Sequence, residues 1–262
     1  MRLILFADFD YTVHDPDNPQ HDGVLDEYLC ELKGQGVEVY MCYVTGRSHA
    51  NFIEKIAPLA VPRPDFAICG VGTQMFDFSH GAVYEKWHAH LVIQEEAGWH
   101  NEQVQADMRA FFDARGTIAP EVDPAWVLPH KISYLVDKML VEDLAALQVH
   151  FAEAGHKVNL VYSEQKFLDI LPAGCNKGLA IDWFVREHHI QPSKDDIIVF
   201  AGDSGNDIAG FASEALTHRI VVGNRHELVN ALAQSGLLER CMHMKDGFGP
   251  LQVVAALKKI LG

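Results

Sequence analysis

Asp8 and Asp10 stand two residues apart at the end of an unbroken apolar run, Leu3-Ile4-Leu5-Phe6-Ala7. Two carboxylates held this close at the tip of a buried strand repel, and one would normally take up a proton. A divalent cation removes that cost, so the pair predicts a metal site and chemistry on an anionic substrate. Further along stand Thr45-Gly46-Arg47, Lys177 and Gly202-Asp203-Ser204-Gly205-Asn206-Asp207. Alone, each is ordinary: an Asp-x-Asp is most often a solvated turn, a glycine-rich GDSGND can be a turn with a helix cap, and a single lysine usually lies on the surface. Their joint occurrence, in this order and at the ends of strand-like runs, favours catalysis.

The residue types suit phosphoryl transfer, where charge spreads over three oxygens and catalysis is mainly positioning and positive charge. A carboxylate can attack phosphorus and hold it as an acyl phosphate, and Asp8 is the candidate. Asp10 is placed to protonate the leaving alkoxide and then to activate water. Asp203 and Asp207, together with Asp8, offer the oxygen ligands that Mg²⁺ prefers. The Thr45 hydroxyl and the Gly46 amide can hydrogen-bond phosphoryl oxygens. Lys177 opens a predicted helix, where its ammonium and the helix dipole both favour an anion.

The elements that must position these residues read as α/β. Residues 2–7 form a predicted buried parallel strand. A helix over 24–35 follows, with Leu25, Tyr28, Leu29 and Leu32 on one face, then a strand over 37–44, a helix capped by Ser48, and a strand over 66–69. The rhythm then changes. Residues 73–84 read as a hairpin, 101–114 and 139–153 as helices (the second with Leu140, Leu144, Leu147 and Phe151 on one face), and 130–137, 157–162 and 166–171 as strands. The βα rhythm returns with a helix from Lys177, strands at 197–201 and 220–222, and helices near 225–234 and 250–261. The expectation is a Rossmann-like parallel-sheet core, residues 1–79 and 172–262, with a small α+β domain inserted at 80–171. Ligands in open α/β sheets bind beyond the carboxyl ends of the strands, where Asp8, Asp10, Thr45 and Asp203 all fall.

A formal charge of −15 argues against a nucleic-acid partner, which needs a basic footprint. It also repels phosphate, so an anion site must concentrate its own positive charge. No apolar stretch reaches the roughly 18 residues that span a bilayer. The N-terminal run lacks a basic lead-in and a cleavage site and ends in carboxylates, so no secretory signal is expected. Cys30, Cys42, Cys69, Cys175 and Cys241 are scattered without CxxC spacing, the pattern of reduced thiols in a cytoplasmic protein. Three further features are read as structural or as sugar contacts rather than as a second metal site: His88-x-His90 with His100, the tryptophans Trp87, Trp99 and Trp126, and His188-His189 at a helix end. Cys175, beside the lysine, is read as a buried small residue rather than a reactive thiol.

These motifs, in this order, resemble the haloacid dehalogenase superfamily of phosphohydrolases. Asp8-Phe9-Asp10-Tyr11-Thr12 matches its DxDxT motif, Val44-Thr45-Gly46-Arg47 the second motif, Asn176-Lys177-Gly178 the third and Gly202 to Asp207 the fourth. Val71-Gly72-Thr73, Pro129 to Tyr134, Leu168 to Pro172 and Val221-Val222-Gly223-Asn224 are similar to the sucrose-6-phosphate phosphatase branch. The resemblance implies a cap domain in the insert, with Asp8 as nucleophile and Asp10 as acid/base. It implies Mg²⁺ held by Asp8, the Asp10 carbonyl and Asp203, with Asp207 acting through water. Thr45 and Lys177 would hold the phosphoryl group, Gly46 and Arg47 would contact substrate, and Asn206 would orient its neighbours. The implied reaction is Mg²⁺-dependent hydrolysis of a sugar phosphate, a disaccharide or glycosylated polyol phosphate such as sucrose-6-phosphate, through an aspartyl-phosphate, by a monomer or small homo-oligomer. A phosphomutase would return the phosphoryl group to a sugar instead. A non-catalytic sensor would lack one of the acids or the lysine, and all are present. Tyr11 fills a slot more often small or polar, Gln74 stands where such relatives often carry Glu, and Cys175-Asn176 replace small residues before the lysine.

Overall fold

The apolar run that ends at Ala7 is buried on both faces, as a strand in a parallel sheet covered on both sides must be. Leu3, Leu5 and Ala7 join one core cluster; Phe6, on the other face, packs edge-on against Phe184 at 5.7 Å. The computed structural model describes every residue except 97, 118–119, 121, 137–140 and 188–192, together with all side chains outside these except those of residues 82, 92–96 and 141.

In chain order the elements are β1 (Arg2–Ala7), α1 (Gly23–Gly34), β2 (Glu38–Val44), α2 (His49–Ile56), β3 (Phe66–Cys69), β4 (Gln74–Asp77), β5 (Ala82–Val83), α3 (Glu85–Glu96), α4 (Asn101–Asp113), β6 (Val127–Leu128), β7 (Lys131–Leu135), α5 (Val141–Glu153), β8 (Val158–Ser163), β9 (Phe167–Pro172), α6 (Lys177–Glu187), β10 (Ile197–Gly202), α7 (Ile208–Phe211), β11 (His218–Val222), α8 (His226–Gln234), β12 (Met242–Met244) and α9 (Pro250–Leu261). They form two units, Met1–Tyr84 with Lys177–Gly262, and Glu85–Asn176.

The first unit holds an eight-stranded sheet in the order β12-β11-β10-β1-β2-β3-β4-β5. β12 through β3 run parallel. The expected hairpin is β4 and β5, which extend the same sheet antiparallel. β1 lies between β2, the next strand in sequence, and β10, which arrives some 190 residues later. The strand order therefore reverses between β1 and β10, the crevice where such sheets bind ligands. Helix α1 buries Leu25, Leu29 and Leu32 in the same cluster as Val253, Val254 and Leu257 of α9. The left-handed Gly36 (φ 85°) lets the chain leave α1 sharply. Among the described residues no helix is long and apolar enough to cross a membrane.

The second unit is α+β. Its antiparallel sheet runs β6-β7-β9-β8. Ile132, Tyr134, Leu168 and Ile170 pack with Val104, Met108 and Phe111 of α4 and Leu147 and Phe151 of α5. By strand alternation Lys131, Ser133 and Asp169 lie on the opposite face. There the Lys131 ammonium donates to Ser133 Oγ (2.6 Å) and Asp169 Oδ1 (3.0 Å), and the Ser133 hydroxyl donates to the same Asp169 oxygen at 2.5 Å. Helix α3 and the short β6 and β12 carry too little periodicity to be read from sequence. Leu140 lies outside the described residues.

Candidate active site

Asp8 continues the β1 ladder by one residue: its N–H donates to Ala201 O of β10 at 2.9 Å. The chain then folds back. Both Val13 and His14 N–H groups donate to Phe9 O, and Tyr11 N–H donates to His14 O. Tyr11 sits at its apex with φ 60°, a left-handed conformation rare for a bulky side chain. Its ring meets Phe248 edge-on at 5.9 Å, and its carbonyl accepts the Gly249 N–H at 2.7 Å. Packing thus accounts for an aromatic residue in this slot. His14 Nδ1 pairs with Asp22 Oδ2 at 2.7 Å and its ring stacks on Phe9, so the loop is pinned from beneath.

The end of β10 supplies the second side of the site. A Cβ on Gly202 would lie 2.6 Å from Asp207 Cγ, so this position admits only glycine. Asp207 is drawn in because its Oδ2 accepts the N–H groups of Asp203 and Ser204, each at 3.0 Å. Asp203 Oδ1 accepts the Thr12 hydroxyl at 3.3 Å. At the end of β2, Thr45 is buried, its N–H donates to Ile68 O, and its Oγ1 accepts the Arg47 N–H at 3.2 Å. A Cβ on Gly46 would lie 3.6 Å from Asn206 Nδ2, so these two residues are neighbours.

Lys177, the first residue of α6, ties these segments together. Its side chain is fully buried and spends all three N–H donors, on Asp8 Oδ1 (2.8 Å), Asn206 Oδ1 (2.7 Å) and Asp207 Oδ1 (2.7 Å). Burial pulls its pKa down, but the charges of Asp207 and Asp8 outweigh that and hold it above its ordinary value. One ammonium does not offset the acids around it. Burial raises the Asp8 pKa to about 7; Lys177 works against that rise and Asp207 and Asp10 add to it. Asp203 is raised by burial and then by Asp8 and Asp207. Oxygens of Asp8, Asp203 and Asp207 all lie within 4.8 Å of one another. Asp203 Oδ2 is buried and accepts no hydrogen bond. Three buried carboxylates, hard oxygen donors that carry more negative charge than Lys177 offsets, fit Mg²⁺.

Asp10 lies apart from that cluster. Its two oxygens accept the fork of Arg47, Nε and Nη2, each at 2.8 Å. Arg47 Nη1 donates to Asn51 Oδ1 at 2.6 Å, and the pair is about one-third exposed. Arg225 Nε lies 2.9 Å from Asp203 Oδ2.

A model of the sucrose-6F-phosphate phosphohydrolase family matches residues 1–245. The chain belongs to that family. It is 29% identical over 231 residues to a probable sucrose-phosphatase 3a of Arabidopsis thaliana, covering 86% of this chain and 52% of the relative. It is 26% identical over 229 residues to sucrose-phosphatase 1 of Nicotiana tabacum, covering 87% and 52%. The chain therefore spans about half the length of the curated relatives it matches. The structure of the sucrose-phosphatase from Synechocystis sp. PCC6803, described in complex with sucrose and phosphate, superposes with a TM-score of 0.80 at 27% identity, covering 99% of this chain and 98% of that one. The α/β fold is that of the haloacid dehalogenase-like hydrolases.

Of the residues singled out from the sequence, Asp8, Lys177, Asn206, Asp203 and Asp207 converge in one hydrogen-bonded cluster, with Thr45 and Gly46 beside Asn206 and Asp10 with Arg47 at its rim. Thr12 and Arg225 escaped sequence reasoning. Thr12 was visible only as a motif member, and a single arginine before a helix gives no local signal. Gln74 has a plain job, its Oε1 accepting the His49 N–H at the start of α2. Trp99 is core, with Nε1 donating to Pro129 O; Trp87 is buried and Trp126 is partly exposed against Phe167. Trp87 stacks on His90, and the His88 ring lies 6.3 Å from that of His130. His188 and His189 lie outside the described residues.

Proposed function

We propose that the chain is a Mg²⁺-dependent phosphatase that hydrolyses a sugar phosphate, sucrose-6-phosphate or a related glycosyl phosphate ester. The reaction runs through an aspartyl-phosphate on Asp8. The observation that carries this reading is the fully buried Lys177, joined at once to Asp8, Asn206 and Asp207 at the crevice between β1 and β10. Asp8 attacks phosphorus and the bond to the sugar oxygen breaks. Asp10 gives that oxygen a proton, then takes one from the water that cleaves the acyl phosphate. Lys177 and Thr45 bind phosphoryl oxygens with the Gly46 amide, Asn206 fixes Lys177, and Arg47 contacts the substrate. Asp8, the Asp10 carbonyl and Asp203, with Asp207 acting through water, would hold Mg²⁺, which would supply positive charge to the phosphoryl oxygens. The insert, expected from the sequence at 80–171 and bounded in the structure at Glu85–Asn176, would act as a mobile cap and supply sugar contacts. The five free cysteines support a cytoplasmic location.

The test is release of inorganic phosphate with Mg²⁺ from sucrose-6-phosphate, trehalose-6-phosphate and glycosylglycerol phosphates. Turnover of at least one is expected, and Asp8→Asn should abolish it without unfolding the protein. Failure on every sugar phosphate overturns the substrate class, transfer to a second sugar without phosphate release makes the chain a mutase, and wild-type activity of Asp8→Asn overturns the mechanism.

A further inference from the structure

We propose that Arg225 is a built-in counter-ion of the carboxylate cluster and sets how tightly that cluster binds a divalent cation. The inference rests on the reading of Asp8, Asp203 and Asp207 as a cation site.

Arg225 is the extended residue immediately before α8. Its Nε stands 2.9 Å from Asp203 Oδ2, the buried oxygen that accepts no hydrogen bond. The guanidinium is held there by two rings, its carbon lying 4.8 Å from the Tyr11 centroid and 5.5 Å from that of Phe248. Those rings brace each other edge-on. The backbone is shaped around them. Tyr11 accepts a left-handed conformation, and Gly223 (φ 72°) leaves the space in which a Cβ would stand 2.1 Å from Phe248 Cε1. An arginine gripped by two aromatic residues, each accommodated by an unusual backbone position, is a made feature of this site rather than a surface charge that has drifted inward.

The consequence follows from counting charge. In the ionised form that ligates a cation, Asp8, Asp203 and Asp207 bring three negative charges. Lys177 and Arg225 return two, so one negative charge is left for a divalent ion. Lys177 is fully buried and bonded to Asp8, Asn206 and Asp207 together, so its charge stays within the cluster. The Arg225 side chain is 22% exposed on the flank, so it is the cation that can yield. A divalent ion on Asp203 meets a guanidinium on the same carboxylate, and like charges a few ångströms apart repel strongly. Whether Arg225 stays and weakens the ion or swings out as it binds, its charge is a cost that cation binding must overcome.

The test uses Mg²⁺ alone, titrated into the EDTA-stripped full chain and read by calorimetry and by the rise in melting temperature. Arg225→Met should bind Mg²⁺ about tenfold or more tighter than the native chain. Arg225→Gln repeats the measurement should the methionine variant not fold. Arg225→Lys, which keeps the charge, should stay within about threefold of native. Equal or weaker Mg²⁺ binding by both neutral variants overturns the inference, as does a lysine variant that tightens as much as they do. Asp203→Asn separates the two readings: if neither the native chain nor Arg225→Met shows Mg²⁺ binding that Asp203→Asn removes, the cation site itself is wrong.

Discussion

Replacing Lys177 with Met tests the electrostatic account of the site directly. Methionine keeps the length and flexibility of the side chain but removes the ammonium. Asp8 and Asp207, both buried, then lose partners at 2.8 and 2.7 Å, and Asn206 loses its donor. Breaking a buried ion pair by deleting one partner costs about 3–5 kcal/mol. For a chain of this size that is a fall in melting temperature of about 6–20 °C. The size of the fall depends on pH in a direction fixed by linkage. Burial raises Asp8 to about 7 and also raises Asp203, and loss of Lys177, which works against both rises, pushes these two higher still. An acid whose folded pKa is raised binds its proton more tightly in the folded state, so its folded form loses stability as pH rises from about 4 through the raised value. The variant should therefore be closest to native near pH 5 and furthest from it near pH 8. Mg²⁺ should narrow the gap at pH 8. The assay is thermal unfolding by circular dichroism from pH 5 to 8, with EDTA and with Mg²⁺. A variant as stable as the native chain at pH 8 in EDTA, or a deficit that grows on acidification, would refute the claim that Lys177 neutralises buried carboxylates.

Three further outcomes are expected. Gly202→Ala drives a Cβ into Asp207, whose carboxylate is fixed by two backbone N–H groups, and should cost about 1–3 kcal/mol and abolish Mg²⁺-dependent stabilisation, read by the same melts. Asp196 is held well below the usual carboxylate range by the Arg2 fork and the Ser193 N–H, so its contribution is complete above about pH 4 and fades as pH falls further. The melting-temperature gap between native and Asp196→Ala should accordingly stay constant from pH 8 to 5 and close below about pH 4. Burial raises the thiols of Cys42, Cys69 and Cys175, whereas Cys30 is exposed. Iodoacetamide followed by mass spectrometry should mark Cys30 first, and labelling of Cys175 at a comparable rate would contradict its burial.

The parallel core was legible because its strands are unbroken apolar runs, and the strand over 2–7 and the helix over 250–261 fall within a residue of β1 and α9. The insert was harder. Helix α3 begins at Glu85, separated from the end of β5 by a single residue, and lacks a clean apolar stripe, so only tertiary packing decides it. The candidate site was legible where the fold needs several residue types in one run, as in Gly202 to Asp207, where glycine admits the acid and the acid caps the turn. It was not legible where a residue acts across the fold. Arg225 lies 22 residues beyond Asp203, and Phe248 far from Tyr11, so no local pattern announces the clasp they form. Tyr11 made no sense inside its own motif because the reason for it lies in Phe248 and Arg225.

The ion pairs of the site divide by burial, and that division bears on what can move. The Lys177 group is sealed, and exchanging any partner would strand a charge away from water. The Arg47–Asp10 pair is about one-third exposed, and such a pair contributes little to stability because water competes for both partners. Asp10 can therefore release Arg47 at small cost, as the acid/base role proposed for it requires, while Asp8 is held by the buried Lys177. The register explains why the fixed half is fixed. Ala7 pairs with Ala201, so the residues that follow, Asp8 and then Gly202 and Asp203, leave the sheet side by side, and the ladder itself sets their spacing. The movable half hangs from the end of β2, where Thr45 is buried but Arg47 lies two residues beyond it, anchored through Asn51. Cutting that anchor with Asn51→Ala should leave Arg47 able to reach Asp10 but less confined to it. The expected loss falls on the step that uses Asp10 and leaves the stability of the Lys177 cluster intact, so turnover should fall severalfold with the melting temperature unchanged to within about 2 °C. A drop in melting temperature as large as that of Lys177→Met would show that the two halves are one network and that the division by burial is false.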